Sequence, residues 1–159
     1  MHFVCDFTQK AVMNVYDTML SLKVEPVRHA EGAEMPLGTI SGMVGSVSFA
    51  GRITGAIYMN YSESLACKLA ERLIGVKPKS WTEPEVTDLI GEIANMVSGD
   101  MKRRTAELGY NGLLAPPLIM QGDGIVVESQ NAPIAAYNLF RIAELNEELG
   151  VRVFAKLEA

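Results

Sequence analysis

The stretch LIGEIANMVSGDMKRR, Leu89 to Arg104, lies in the longest helical pattern of the chain. At about 100° of rotation per residue, its apolar side chains gather in one arc and its polar side chains gather on the opposite side. The apolar arc comprises Val86, Leu89, Ile90, Ile93, Val97 and Met101. This pattern predicts a long amphipathic helix that buries the apolar arc and turns the other side outward.

Local signals on both sides of this stretch predict where the helix begins and ends. Thr82 is expected to cap the first turn, and Glu85, three residues later, to return the bond in a capping box. Trp81 and Val86 stand at the positions of a hydrophobic staple. Gly109 is the expected stop after Leu108.

The remaining pattern predicts another long helix, a short helix and several strands. A break is expected at Glu25-Pro26, and a loop is expected after Glu31. A hairpin loop is expected at Asn146 to Gly150. The helices are expected at 6–22, capped by Asp6, and at 62–74, and the strands at 38–49, 52–60, 118–121, 125–128, 134–145 and 151–157.

This order predicts an α/β (α+β) fold in which a mainly antiparallel sheet packs against two long helices. Asn14–Asp17 can be laid over Glu92–Asn95, which superposes the two long amphipathic patterns and indicates a weak internal pseudo-repeat of helix plus hairpin. Because the match is approximate, two unrelated units of a helix and two strands would give the same pattern.

Length and composition narrow the class of protein. The chain has 159 residues, 48% hydrophobic and 21% charged, which fits one globular domain spanning 1–159. Its net charge of −5, without a basic stripe, argues against binding to nucleic acid or to an anionic membrane surface. The two cysteines lack metal or disulfide spacing, so we expect reduced thiols and a cytoplasmic protein.

The polar side of the long helix carries Asp88, Glu92 and Asn95. A solvated surface is one interpretation, since every surface helix has a polar side. However, Asn is a poor helix former, and Gly91 and Gly99 each cost about 1 kcal/mol relative to Ala. Such residues suit a face that another molecule approaches closely. A metal site is a third interpretation, but no His lies nearby in the sequence and Asn is a minor metal ligand, so we expect none.

These residues carry a resemblance to a known family. Asp88, Glu92 and Asn95 read D-x-x-x-E-x-x-N, and Pro117 follows about two dozen residues later. The pattern resembles the signature of the CheC/CheX/FliY chemotaxis phosphatases, and the likeness extends to the order of elements and the chain length. In the first long helix, Lys10, Asn14 and Asp17 occupy the corresponding positions, so E-x-x-N is absent there. A single site is similar to CheX members.

The resemblance implies a phosphatase that hydrolyses the phosphoaspartate of a CheY-like response regulator. Asn95 suits the positioning of the attacking water, because an amide can bind water without repelling the phosphoryl oxygens. Glu92 would dock on a cation of the receiver, and the Mg²⁺ would belong to the receiver, with no cofactor on this chain. Asp88 either orients this pair or is a plain surface carboxylate. The expected partner-binding residues are Asp88, Gly91, Gly99, Lys102 and Pro117.

Two further expectations remain. The same helix face would equally serve a non-catalytic module that binds a signalling or flagellar-switch partner. The resemblance also implies a homodimer: the alternating segment Val151–Leu157 predicts a terminal edge strand, which proteins usually cover. Strand exchange and a closed hairpin are both compatible with the loop before it.

Overall fold

The computed structural model describes residues 2–36, 40–127 and 132–158. Three α-helices and seven β-strands make up the described fold. The helices are α1 (His2–Leu20), α2 (Glu63–Ile74) and α3 (Pro84–Glu107), and the strands are β1 (Glu25–Glu31), β2 (Ile40–Gly51), β3 (Ile53–Tyr61), β4 (Gly112–Leu114), β5 (Leu118–Ile125), β6 (Ile134–Ile142) and β7 (Glu147–Leu157). The α+β class, the antiparallel sheet and the two long helices are as predicted.

The seven strands form one antiparallel sheet in the order β1-β6-β7-β3-β2-β4, with β5 also pairing with β2. The element order α1-β1-β2-β3 returns as α3-β5-β6-β7. The hairpins β2-β3 and β6-β7 meet at the central pair β3–β7, and the first strand of each half pairs with the hairpin of the other half. This arrangement supports the predicted internal repeat, with a strand before each hairpin.

The core lies between one face of the sheet and the helices. On α1 the fully buried side chains include Val12 and Tyr16, and on α3 they include Ile90, Ile93 and Val97. A Cβ atom built at Gly45 of β2 would lie 3.1 Å from Cγ2 of Ile90, so a glycine here lets α3 pack closely on the sheet. Helix α3 is therefore held firmly on its apolar side.

Both long helices begin at positions other than those predicted. Asp6 lies inside α1, where its carboxylate pairs with Lys10 Nζ at 2.9 Å, and Val4 and Cys5 before it are buried. Helix α3 begins at Pro84, whose fixed φ suits the first turn, and Glu83 is the N-cap residue without a side-chain capping bond. The predicted capping box of Thr82 and Glu85 is therefore wrong.

The predicted break at Glu25-Pro26 is the start of strand β1, whereas the predicted loop after Glu31 is a short 3-10 turn over Gly32–Glu34. The side chains of β1 are mostly exposed because it is an edge strand, which among the described strands pairs with β6 alone. No apolar alternation therefore marks it in the sequence. Pro26 lies at a register shift in this pairing, which an edge strand tolerates. Of the predicted strands 38–49 and 125–128, residues 38, 39 and 128 lie outside the described residues.

The prediction of a terminal edge strand is wrong. Strand β7 begins at Glu147 and pairs with β6 on one side and β3 on the other, so it lies in the middle of the sheet. The hairpin turn precedes it: a short 3-10 turn covers Ala143–Leu145, and Asn146 adopts the left-handed conformation with φ of 54°. Short helix α2 matches its prediction, with Ser62 as N-cap and Gly75 as C-cap.

Candidate docking and catalytic face on helix α3

Helix α3 separates its side chains as the periodicity predicts. Val86, Ile90, Ile93 and Val97 are fully buried against the sheet and the other helices. Asp88, Glu92 and Asn95 are exposed on the opposite side. Since Glu92 and Asn95 are three residues apart on a helix, their side chains are neighbours on one surface.

Neither Glu92 nor Asn95 forms a side-chain hydrogen bond or ion pair with any residue in the described ranges. The two groups therefore keep their full hydrogen-bonding capacity: four lone-pair sites on the carboxylate, and a donor and an acceptor on the amide. A rigid helix holds them at a fixed spacing.

Pro117 lies against α3 beside this face. A Cβ atom built at Gly91 would lie 3.7 Å from Cγ of Pro117 and 4.0 Å from Cδ1 of Ile119. The loop between β4 and β5 thus covers α3 in the turn that carries Glu92. Gly91 itself is buried beneath Pro117, so the prediction of an open approach to its backbone is wrong. A partner at this turn would meet Pro117.

Gly99, which is half-buried, and the exposed Lys102 continue this side of α3 beyond Asn95. A Cβ atom at Gly99 would have no atom within 4 Å, so packing among the described residues gives no reason for a glycine at this position. Lys102 is exposed one turn further along. Asp88 forms no hydrogen bond to Glu92 or Asn95, which favours the reading of Asp88 as a plain surface carboxylate.

A polar cluster that sequence reasoning missed lies at the contact between α1 and α3. Nδ2 of Asn14 donates a hydrogen bond of 2.8 Å to Oδ2 of Asp100, whose carboxylate also accepts from Arg103 at 3.3 Å and from Arg104. Burial disfavours the charged carboxylate, but the hydrogen bonds from Arg104 and Asn14 and the two guanidinium charges outweigh it and lower the pKa of Asp100. The sequence shows that Arg103 and Arg104 follow Asp100 at helical spacing. It does not show that Asn14, on the other long helix, pairs with Asp100.

Within the described ranges, no group of three or more His, Cys, Asp or Glu side chains is arranged to hold a metal ion. None of the described helices is long and apolar enough to cross a membrane.

The fold is thus an antiparallel sheet backed by two long helices, and α3 presents an acid–amide pair, unpaired within the described residues, in the turn that Pro117 contacts through Gly91. A sequence profile of the chemotaxis phosphatase CheX family matches residues 43–138, which include all of α3. The chain belongs to the CheX family. The predicted recognition and the predicted enzyme class, a phosphatase, are thereby confirmed.

Known proteins show the same likeness. The CheY-P phosphatase CheX of Thermotoga maritima is 22% identical over 117 residues, covering 73% of this chain and 76% of that protein. The crystal structure of chemotaxis protein CheX from Vibrio vulnificus superposes with a TM-score of 0.83 at 24% identity, over 95% of this chain and 97% of the other. CheX in the CheX–CheY–BeF3–Mg²⁺ complex of Borrelia burgdorferi gives 0.78 at 17% identity, over 96% and 97%.

Proposed function

We propose that this chain hydrolyses the phosphoaspartate of a CheY-like response regulator, with Glu92 and Asn95 of α3 as the residues that act on it. The observation that carries the proposal is the freedom of these two side chains: both are exposed on a firmly packed helix, and neither has a partner among the described residues. A helix selected for stability alone would not place an asparagine there.

Asn95 would position the attacking water. An acyl phosphate is already activated, so the enzyme needs to hold a water in line with phosphorus and to do little further chemistry. The Asn95 amide oxygen accepts a hydrogen bond from the water, and its NH₂ group donates to the phosphoryl oxygens or to the receiver backbone. An uncharged group is required, because a carboxylate at this place would repel the phosphoryl group.

Glu92 would fix the register of docking. Its carboxylate lies one turn from Asn95 and is free to pair with a lysine or arginine of the receiver. Mg²⁺ bound by the receiver would offset the phosphoryl charge. Around this pair, Asp88, Pro117, the open Gly99 and Lys102 would contact the receiver surface, with Gly99 allowing its backbone to approach α3 closely.

The relatives support this proposal. The Thermotoga maritima protein is named for its action on CheY-P, and the Borrelia burgdorferi CheX forms a complex with CheY in the presence of BeF3 and Mg²⁺. Family membership carries the class of enzyme to this chain, and the exposed pair on α3 supplies the groups that such a reaction needs.

The test is the decay of a phosphorylated CheY-like receiver with and without this chain, together with a binding measurement on the same receiver. We expect decay to accelerate in proportion to the amount of enzyme. Binding without faster decay would contradict the phosphatase proposal and favour a binding module that uses the same helix face. The receivers encoded near this gene are the first to try.

We also infer that residues 1–159 act as one cytoplasmic domain that forms a homodimer. Because β7 is central, a dimer would have to form through a surface other than β7, such as the edge strand β1. Sedimentation equilibrium over a range of concentrations tests this: a mass near two chains is expected, and a persistent mass near 17.3 kDa would contradict it.

A further inference from the structure

The outer face of the sheet, which is turned away from the helices, carries a continuous row of side chains. Along β3, Ile57 and Met59 are buried in the core, so Tyr58 between them lies on the opposite face. At roughly 4.8 Å between neighbouring strands, the row that includes Tyr58 is about 19 Å long. Strand pairing defines this outer row as Tyr137, Arg152, Tyr58, Ser46 and Leu118.

Two arginines of this face lie against the same aromatic ring. The guanidinium carbon of Arg152 is 5.0 Å from the centroid of the Tyr137 ring, and that of Arg28, on β1, is 5.6 Å from it. Both distances suit cation–π contacts. Neither guanidinium forms a hydrogen bond or an ion pair with any residue in the described ranges. Two positive charges are therefore held close together without a carboxylate from the described chain.

Arg152 is the more confined of the two cations. It is half-buried in the outer row, and this burial lowers the pKa of its guanidinium from the ordinary value, against the smaller opposing influence of Tyr137. Arg28, by contrast, is exposed. A partly desolvated cation beside a second cation is unfavourable unless an anion reaches it. The pair therefore favours an anionic occupant from outside the described chain.

The surroundings of the two arginines are aromatic. Tyr58 lies opposite Arg152, and its ring meets that of Phe154 edge to face, with the ring centroids 6.2 Å apart. Both rings are only partly buried. Tyrosine, phenylalanine and arginine are enriched at protein interfaces, whereas a solvated sheet face is ordinarily polar. This composition indicates contact with another protein.

We propose that the outer row and Arg28 bind an acidic segment of a partner protein, at a site separate from the receiver-docking face of α3. In an extended segment alternate side chains lie on one side, roughly 7 Å apart, so two carboxylates would reach Arg28 and Arg152 together. Apolar parts of the segment would contact Tyr58 and Phe154. Because the helices pack on the other face of the sheet, the receiver and this partner would bind without competing.

A second copy of this chain is a poor occupant of the outer row. Symmetric contact through the row would bring the arginines of both copies against each other. Contact of the row with the acidic α3 face of another copy is head to tail, and it gives rings or filaments instead of the expected homodimer. We therefore assign the site to a different protein.

The test is a titration of the isotope-labelled protein with the capped peptide Glu-Thr-Glu-Thr-Glu, followed through the side-chain Nε–H resonances of Arg28 and Arg152. We expect saturable shifts that added salt weakens, and much weaker binding when glutamine or lysine replaces every glutamate. Absence of saturation, equal binding of the glutamine peptide, or shifts centred on Lys102 and Arg103 overturns the proposal. Since the readout is binding to this chain alone, failure of the phosphatase proposal would leave the result unaffected.

Variants test the two guanidiniums. Arg28→Gln and Arg152→Gln should each weaken peptide binding about threefold to tenfold, whereas Arg52→Gln, an exposed arginine between β2 and β3, should change nothing. Receiver dephosphorylation should be the same in Arg28→Gln as in wild type, because α3 lies on the other face of the sheet. If Arg152→Gln fails to fold, the exposed Arg28 decides: unchanged peptide affinity in Arg28→Gln would overturn the assignment.

Discussion

The outer faces of α1 and α3 occupy equivalent places in the two halves of the fold, yet their polar residues are used differently. On α1, Lys10 pairs with Asp6 at 2.9 Å, and Asn14 donates to Asp100 at 2.8 Å. On α3, Glu92 and Asn95 have no partner among the described residues. The same helix geometry thus carries one face on which Lys10 and Asn14 are paired within the chain and another on which Glu92 and Asn95 stay unpaired in the described part of the chain.

This difference separates structural from functional asparagines by their hydrogen bonds. Asn14 satisfies a buried carboxylate and joins α1 to α3, so its loss should be felt in stability. Asn95 lies in the middle of α3 on its exposed side. Asparagine disfavours the helical conformation there, and no contact among the described residues compensates for it. Residues that are locally unfavourable and unpaired are the ones expected at a functional site.

The largest effect should come from Asn95→Asp, which keeps the shape of the side chain and adds a negative charge. We expect receiver dephosphorylation to fall by at least about a hundredfold, because the carboxylate repels the phosphoryl group and cannot donate as the amide does. Decay of the phosphorylated receiver at saturating enzyme measures it. Near wild-type decay would show that Asn95 does not face the phosphoryl group.

A smaller effect is expected from Glu92→Gln. Loss of a charge-assisted contact to the receiver should weaken catalytic efficiency about ten- to a hundredfold, chiefly through affinity, while stability stays within about 0.5 kcal/mol. Titration of the receiver against both proteins separates affinity from turnover. Asp88→Asn on the same face is the matched control and should have the weaker effect. Equal losses in the two variants would contradict a specific docking role for Glu92.

On the structural side of the comparison, Asp100→Asn should reduce the free energy of unfolding by about 1–3 kcal/mol. The folded-state pKa of Asp100 lies below its ordinary value of 3.8, so the stabilisation is present above that value and is lost as pH falls through the lower folded-state pKa. Urea unfolding of wild type and variant from pH 7 to pH 2 measures this. The two should converge in acid, and a constant difference would contradict the assignment.

The smallest effect concerns the open glycine. Gly99→Ala should raise the free energy of unfolding by up to about 1 kcal/mol, because its Cβ atom meets nothing and the helix gains from alanine. Receiver binding should nevertheless weaken. Gly91→Ala, whose Cβ atom would contact Pro117 inside the chain, is the control for helix propensity. Unchanged receiver affinity in Gly99→Ala would show that no partner approaches this turn.

Much of this arrangement could be predicted from the sequence, since periodicity alone placed Glu92 and Asn95 on the exposed side of a long helix. Strand β1 escaped prediction because an exposed edge strand has no apolar face, and its Pro26 resembles a break. The alternation of Val151–Leu157 revealed a strand and left its neighbours undetermined. Which strands pair depends on tertiary contacts, and so does the bond from Asn14 to Asp100.

Receiver dephosphorylation and urea unfolding, measured together for Asn95→Ala and Asn14→Ala, show whether Asn95 serves function and Asn14 serves stability. We expect opposite outcomes: Asn95→Ala loses activity by orders of magnitude and keeps its stability or gains a few tenths of a kcal/mol, while Asn14→Ala loses about 1 kcal/mol and keeps its activity. An Asn95→Ala protein that unfolds readily, or that dephosphorylates the receiver as fast as wild type, would contradict this expectation.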